Sequence, residues 1–176
     1  KSMMPVPVFR WSRGQRLDQR LIDLQVPLFD QILIEAPDSL NTLIASGDVL
    51  IRRNKILPSI PEADVVCFGM WIAPERASGH GVFFAQQEDP GQLEFMLQKP
   101  PVSVIQQYVH SHFFLMDIGI WLLSKRAVSV LFDKCGWNGK GFIHVTPDEY
   151  DLYGQFGPAL GRNPFAPDPE ISPLKC

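Results

Sequence analysis

The sequence predicts an α/β domain, a sandwich around a mixed, mostly parallel sheet. Three observations predict it. Apolar runs of strand length alternate with stretches whose apolar residues recur every three or four positions, the order in which strands and helices interleave. At 176 residues the chain suits one domain, and a domain of this size buries roughly 70% of its unfolded surface. Sixteen prolines and thirteen glycines punctuate it, so its elements are short. It holds no internal repeat, low-complexity stretch or coiled-coil heptad.

The elements follow in order. "MMPVPVFRW" carries proline at alternate positions and reads as extended chain or loop rather than an inner strand. In "RGQRLDQRLIDLQVPLFDQILIEA", Leu17, Leu21, Leu24, Leu28 and Ile32 recur at helical steps. Pro27 there either starts a second helix or kinks the first. "TLIASGDVLI" is a strand that stops at Gly47–Asp48. "ADVVCFGMWIA", "HGVFFAQ" and "LEFMLQ" are strand-length runs with β-branched and aromatic residues. "PPVSVIQQYV" fits a short helix, and "FFLMDIGIWLL" is a further strand. Ser124 caps the helix "KRAVSVLFDKCG", which Gly136 stops. "DEYDLYGQFGPALG" adds a last helix, weakened by its glycines.

A net charge of −3 and a pI near 5.8 give no general attraction to nucleic acid or an anionic membrane. Phosphate chemistry would have to rely on locally placed cations. Cys67, Cys135 and Cys176 are an odd set without CxxC spacing, which points to a reducing compartment. No run approaches eighteen apolar residues and the N-terminus lacks a signal pattern, so a cytoplasmic location is expected.

Several residues could carry chemistry. Asp48 at a strand end either caps a turn or borders a ligand crevice, where a carboxylate can hold a metal. Lys99, after the strand "MLQ", is either a solvated strand end or an anion contact. Asp117 lies among apolar neighbours and should face a cleft or accept backbone hydrogen bonds. The glycines of "SGHGVF" allow a tight turn or close backbone approach. His110 and His112 form an H-x-H pair, but zinc would need a further ligand and none has suitable spacing. Cys67, inside an apolar run, reads as core packing. There is no G-x-S-x-G, H-E-x-x-H or P-loop.

The order of these pieces is more specific than any one of them. "PVPVFRWSRGQRLDQRLIDLQVPLF", "TLIASGDVLI", "DVVCFGMWIAPERASGHGVF", "FMLQKP", "LMDIGIWLLSKRAV" and "YDLYGQFGPALG" resemble fucose-1-phosphate guanylyltransferases, the bacterial type often fused to an L-fucose kinase. The likeness runs from Lys1 to about Gly161. More widely, the order is similar to that of sugar-1-phosphate nucleotidyltransferases. The resemblance implies a Rossmann-like nucleotidyltransferase sandwich, residues 1–176 being part of its catalytic domain. It implies GTP and β-L-fucose 1-phosphate as substrates and GDP-L-fucose and pyrophosphate as products. It further implies that Asp48 holds Mg²⁺, that Lys99 meets the sugar phosphate, and that Lys1 ends the nucleotide loop. Gly81, Gln98, Asp117 and Gly119 would line the fucose pocket.

There are departures from the wider pattern. Gln98 stands where glutamate is usual and Asp117 where asparagine is usual. The Gly-rich loop would precede Lys1 and a second metal-binding aspartate would follow Cys176. The segment is therefore expected to be truncated at both ends and inactive alone, and fusion to a kinase domain is one arrangement the resemblance allows. Two other readings stay open: a non-catalytic sugar-phosphate-binding module, and a guanylyltransferase for another hexose 1-phosphate such as mannose 1-phosphate.

Overall fold

The computed structural model describes residues 21–47, 59–143, 150–163 and 165–176, with side chains from Gln25 onward. Helix α1 runs from Leu21 to Glu35 with Pro27 inside it, so this proline does not begin a second helix. The face α1 buries differs from the expected stripe. Val26 and Leu33 enter the core and Phe29 packs beside them, whereas Ile32 is exposed. The helix is apolar on most sides, so three- and four-residue spacing fitted more than one face.

Strands β1 (Thr42–Ala45), β2 (Val65–Met70), β3 (Gly81–Gln86), β4 (Phe95–Gln98) and β5 (His112–Leu123) form one sheet. Short helix α2 (Pro74–Ala77) joins β2 to β3, and α3 (Val102–Tyr108) joins β4 to β5. Helix α4 (Lys125–Lys134) follows β5. Its Ser124 Oγ accepts a hydrogen bond from Ala127 N at 3.1 Å, and Gly136 turns away at φ 79°, as the sequence indicates. A π-helical turn at Leu152–Phe156 and a three-residue helix α5 (Gly157–Ala159) come last.

The expectation of a mostly parallel sheet is overturned. Every pairing among the described strands is antiparallel. The physical reason lies in which strands are neighbours. β2 and β3 run in the same direction with α2 between them, as a crossover unit requires, yet β5 lies between them in the sheet. β4 and β5 likewise run the same way across α3, and β3 lies between them. The strands on either side of α2 and of α3 run the same way, but a reversed strand separates each pair.

Side-chain alternation gives the sheet two buried faces. Val82, Phe84, Phe95, Phe114 and Met116 pack with Ala77 and Ile105 under α2 and α3. Phe83, Met96, Trp121 and Leu123 pack on the opposite face with α4 and Phe156. The C-terminal stretch is hydrogen-bonded across the fold. Arg162 N donates to Glu94 O at 2.6 Å, and Asp64 N and Val65 N donate to Lys175 O at 2.8 and 3.0 Å. Buried Asn163 donates from Nδ2 to Met96 O at 2.9 Å and to Pro158 O at 2.8 Å.

Candidate functional site

β5 is the strand that all the others but β4 pair with, and the way they share it creates the site. β1 and β2 both pair with residues 120–123 of β5 and so must lie on its two sides. β3 pairs with residues 112–116 on the side away from β2, which is the side of β1. The beginning of β3 and the end of β1 therefore face one another across a notch, floored by Asp117, Ile118 and Gly119.

A bulge shapes that floor. The partner of Phe68 is Ile120, and the partner of the next residue, Gly69, is Asp117, so Ile118 and Gly119 are looped out of register. Gly119 takes φ 70°, the left-handed region that glycine enters without a Cβ penalty. In a regular strand, residues four apart are separated by roughly 13 Å. Here the bulge brings the Trp121 indole Nε1 to 3.2 Å from both carboxylate oxygens of Asp117. Gly119 N donates to Asp117 Oδ1 at 2.8 Å, the backbone hydrogen bond the sequence reading asked of this buried acid. Burial raises the Asp117 pKa above the ordinary carboxylate range, against the lowering effect of these hydrogen bonds and of nearby His80.

Gly81 and Gln98 meet Asp117 here. Gly81 is paired with Gln98 across β3 and β4. A Cβ at Gly81 would lie 2.5 Å from Met96 Cε, 3.1 Å from Gln98 Oε1 and 3.2 Å from Asp117 Cβ, so the close approach of these groups requires glycine. Lys99 follows immediately, with φ 48°, a conformation that costs a non-glycine residue roughly 1–2 kcal/mol. Its N–H donates to His80 O at 2.9 Å, which helps hold the strained turn. The side chain is exposed and its ammonium makes no ion pair with a described residue. Backbone strain of this kind collects at functional sites.

From the other side of the notch, Ser46 N donates to Gly119 O at 2.8 Å. The chain end that leads to Asp48 is thus fixed beside Asp117. Asp48 and Lys1 themselves lie outside the described residues, so the structure brings together Gly81, Gln98, Asp117, Gly119 and the backbone of Lys99. A cleft of about 460 Å³ opens beside Ser46 and Gly47, between α1, β1 and the 152–156 turn. Val26, Phe29 and Ile44 line it, and among the described residues around it there is no cation for a phosphate.

Among the described residues no three His, Cys, Asp or Glu side chains gather to hold a metal ion. His112 instead bonds Glu94 Oε2 at 2.8 Å and Ser111 Oγ at 2.8 Å, away from the notch. Cys67 packs against the core, and burial raises its thiol pKa, as suits a packing residue. Sequence reasoning missed Trp121, Ser46 and Tyr153. Trp121 was within reach, because a tryptophan two residues after the bulge glycine can turn back on the aspartate. Tyr153 carried no such signal: its hydroxyl meets Ser46 Oγ at 2.9 Å across 107 residues.

No family model matches the chain. A curated protein of Bacteroides fragilis, an L-fucokinase/L-fucose-1-P guanylyltransferase, is 52% identical to it over 174 residues. That alignment covers 99% of this chain and 18% of the relative, so the chain spans about a fifth of the relative's length. The alignment extends over nearly the whole chain, and the chain is a homologue of one stretch of this bifunctional L-fucokinase/L-fucose-1-P guanylyltransferase.

Proposed function

We propose that residues 1–176 belong to the guanylyltransferase part of such a protein rather than its kinase part. The reaction proposed is GTP plus β-L-fucose 1-phosphate giving GDP-L-fucose and pyrophosphate. The observation that carries this reading is the convergence of Gly81, Gln98, Asp117 and Gly119 on one notch, with the strained Lys99 at its rim. These residues come from three of the motifs that resemble sugar nucleotidyltransferases, and three strands are needed to assemble them.

The chemistry suits these groups. A sugar-phosphate oxygen attacks the α-phosphorus in line and pyrophosphate leaves, so no protein nucleophile is required. The obstacle is bringing one anion to another: two unit charges 4 Å apart repel by about 4 kcal/mol at an effective dielectric of 20. Lys99, exposed and without an ionic partner among the described residues, is placed to offset part of that repulsion. Gly81 lets Gln98 and Asp117 approach one another closely, and the amide of Gln98 and the carboxylate of Asp117 can read hydroxyl groups. Magnesium, by the resemblance, would bind Asp48 and polarise phosphate oxygens. The roles argued for the described residues do not depend on it.

Lys99→Met in the full-length polypeptide tests the reading. The substitution keeps most of the aliphatic stem, so folding should be unaffected. Affinity for fucose 1-phosphate, measured by titration, should fall by about 1.5–3 kcal/mol, the worth of a charged hydrogen bond. Pyrophosphate release should fall with it, while ATP-dependent phosphorylation of fucose stays unchanged. Loss of the kinase rate with intact pyrophosphate release would assign this chain to the other half.

A further inference from the structure

We propose that Tyr153 is a positioning residue, which fixes the end of β1 against the Asp117 notch through Ser46. This rests on the guanylyltransferase reading of that notch. The evidence is a closed ring of contacts. Asp117 accepts from the Trp121 indole at 3.2 Å, and the Trp121 ring meets the Tyr153 ring edge-on, centroids 5.9 Å apart at 85°. The Tyr153 hydroxyl shares a hydrogen bond with Ser46 Oγ at 2.9 Å. Ser46 N donates to Gly119 O at 2.8 Å, and Gly119 N returns to Asp117 Oδ1 at 2.8 Å. Five residues from β1, β5 and the 152–156 turn thus lock to one another.

The lock sits where the sheet is weakest. β1 is four residues long, and β5 is its sole partner among the described strands. Leu43 is exposed, and no described residue beyond its chain neighbours comes within 4 Å of where a Cβ of Gly47 would lie. Without the tyrosine hydroxyl, Ser46 keeps its backbone hydrogen bond to the bulge and loses its side-chain tie to the 152–156 turn. The residue it would release is Ser46, two positions before Asp48. Tyr153 is itself well seated. Asp151 caps its turn, accepting from Tyr153 N at 2.8 Å, and Leu152 and Phe156 are buried beside it. A rigid turn more than a hundred residues downstream thereby sets the position of the strand end.

The test is Tyr153→Phe in the full-length polypeptide, beside Ser46→Ala and the double variant. Phenylalanine keeps the ring on Trp121 and removes only the hydroxyl. The kcat for pyrophosphate release should fall roughly 2- to 10-fold, as for loss of one neutral hydrogen bond at a reacting centre, with KM for fucose 1-phosphate within twofold. Ser46→Ala should also lower kcat, and the double variant should lose less than the sum of the two, since both remove the Ser46–Tyr153 hydrogen bond. Amide exchange at Ser46 and Gly47 should quicken while the β3–β5 amides keep their protection, and this readout is independent of turnover. Unchanged exchange at Ser46 and Gly47 would overturn the positioning role whatever the activity. Additive losses in the double variant would overturn the coupling, and a rise in KM alone would make Tyr153 a substrate contact. If the parent protein releases no pyrophosphate but exchange still responds, the functional reading fails and the lock stands.

Discussion

Asp117 is unusual in being an acid held where hydrogen-bond donors and burial act in opposite directions. Two donors favour its charged form, but burial outweighs them and the folded-state pKa is raised. Between the unfolded and the folded pKa, the folded chain therefore holds a proton here that the unfolded chain has released. The stability this proton contributes is complete below the unfolded value, about 3.9. It is lost as pH rises through the folded pKa. Asp117→Asn keeps an oxygen acceptor for Gly119 N and Trp121 Nε1 but has no proton to lose. Its unfolding midpoint relative to the parent should accordingly rise as pH goes from 4 to 7, read by denaturant titration at several pH values. A constant difference across that range would mean that Asp117 titrates like a solvated carboxylate. The same residue shows how legible the site was. The sequence shows an acid among apolar neighbours, which must find donors, and it finds them. It does not show that the donors come from a bulge in its own strand, because register depends on the partner strand β2.

At the scale of elements, capping signals are read reliably because they are local. Ser124 sits before "KRAV", and its side chain takes the free amide of Ala127 while also donating to Asp64 Oδ1 at 2.8 Å. Ser124→Ala should lower stability by about 0.5–2 kcal/mol, the usual range for a lost N-cap, measured as a shift of the unfolding midpoint. A loss well below that would mean that Asp64 and Arg126, 3.2 Å apart, hold the helix start unaided. Strand positions were equally legible: "ADVVCFGMWIA", "HGVFFAQ" and "FFLMDIGIWLL" became the strands Val65–Met70, Gly81–Gln86 and His112–Leu123. Strand neighbours were not, since periodicity records which face is buried and says nothing of what lies alongside. The sequence order β2–α2–β3 implies two strands running the same way, which is correct. That β5 lies between them is a long-range fact. For α1 the difficulty was different, because an almost wholly apolar helix offers several acceptable faces.

For the molecule as a whole, the C-terminal stretch is what binds the two ends of the sheet together. Asn163 is the key residue in it, being buried and joined to Met96 of β4, to Pro158, and through Oδ1 to Phe165 N at 2.9 Å. Asn163→Ala strands a buried strand carbonyl and should cost about 1–3 kcal/mol for the unmet hydrogen-bonding group. Hydrogen exchange should report faster opening of β4 and of residues 158–163 together. If β4 keeps its protection, the stretch after α5 is an appendage rather than a clasp.

The sharing of β5 also has a temporal consequence. Among the described strands, β1 and β2 have partners only once residues 112–123 exist, since Thr42 pairs with Leu123 and Val65 pairs with the same residue from the other side. During synthesis at about 5–20 residues per second, the first two strands would wait several seconds without partners, their amides facing water or one another. Only the β3–β4 hairpin can close early, because its partners are local. The late strand then arrives as a template on which three earlier ones dock, and such non-local closure is slow. A ribosome stalled before Phe113 would carry a chain in which, of the described strand pairings, that hairpin alone has formed. One released a few dozen residues later would carry nearly all of it, and protease resistance of stalled chains should jump between those two lengths rather than climb steadily.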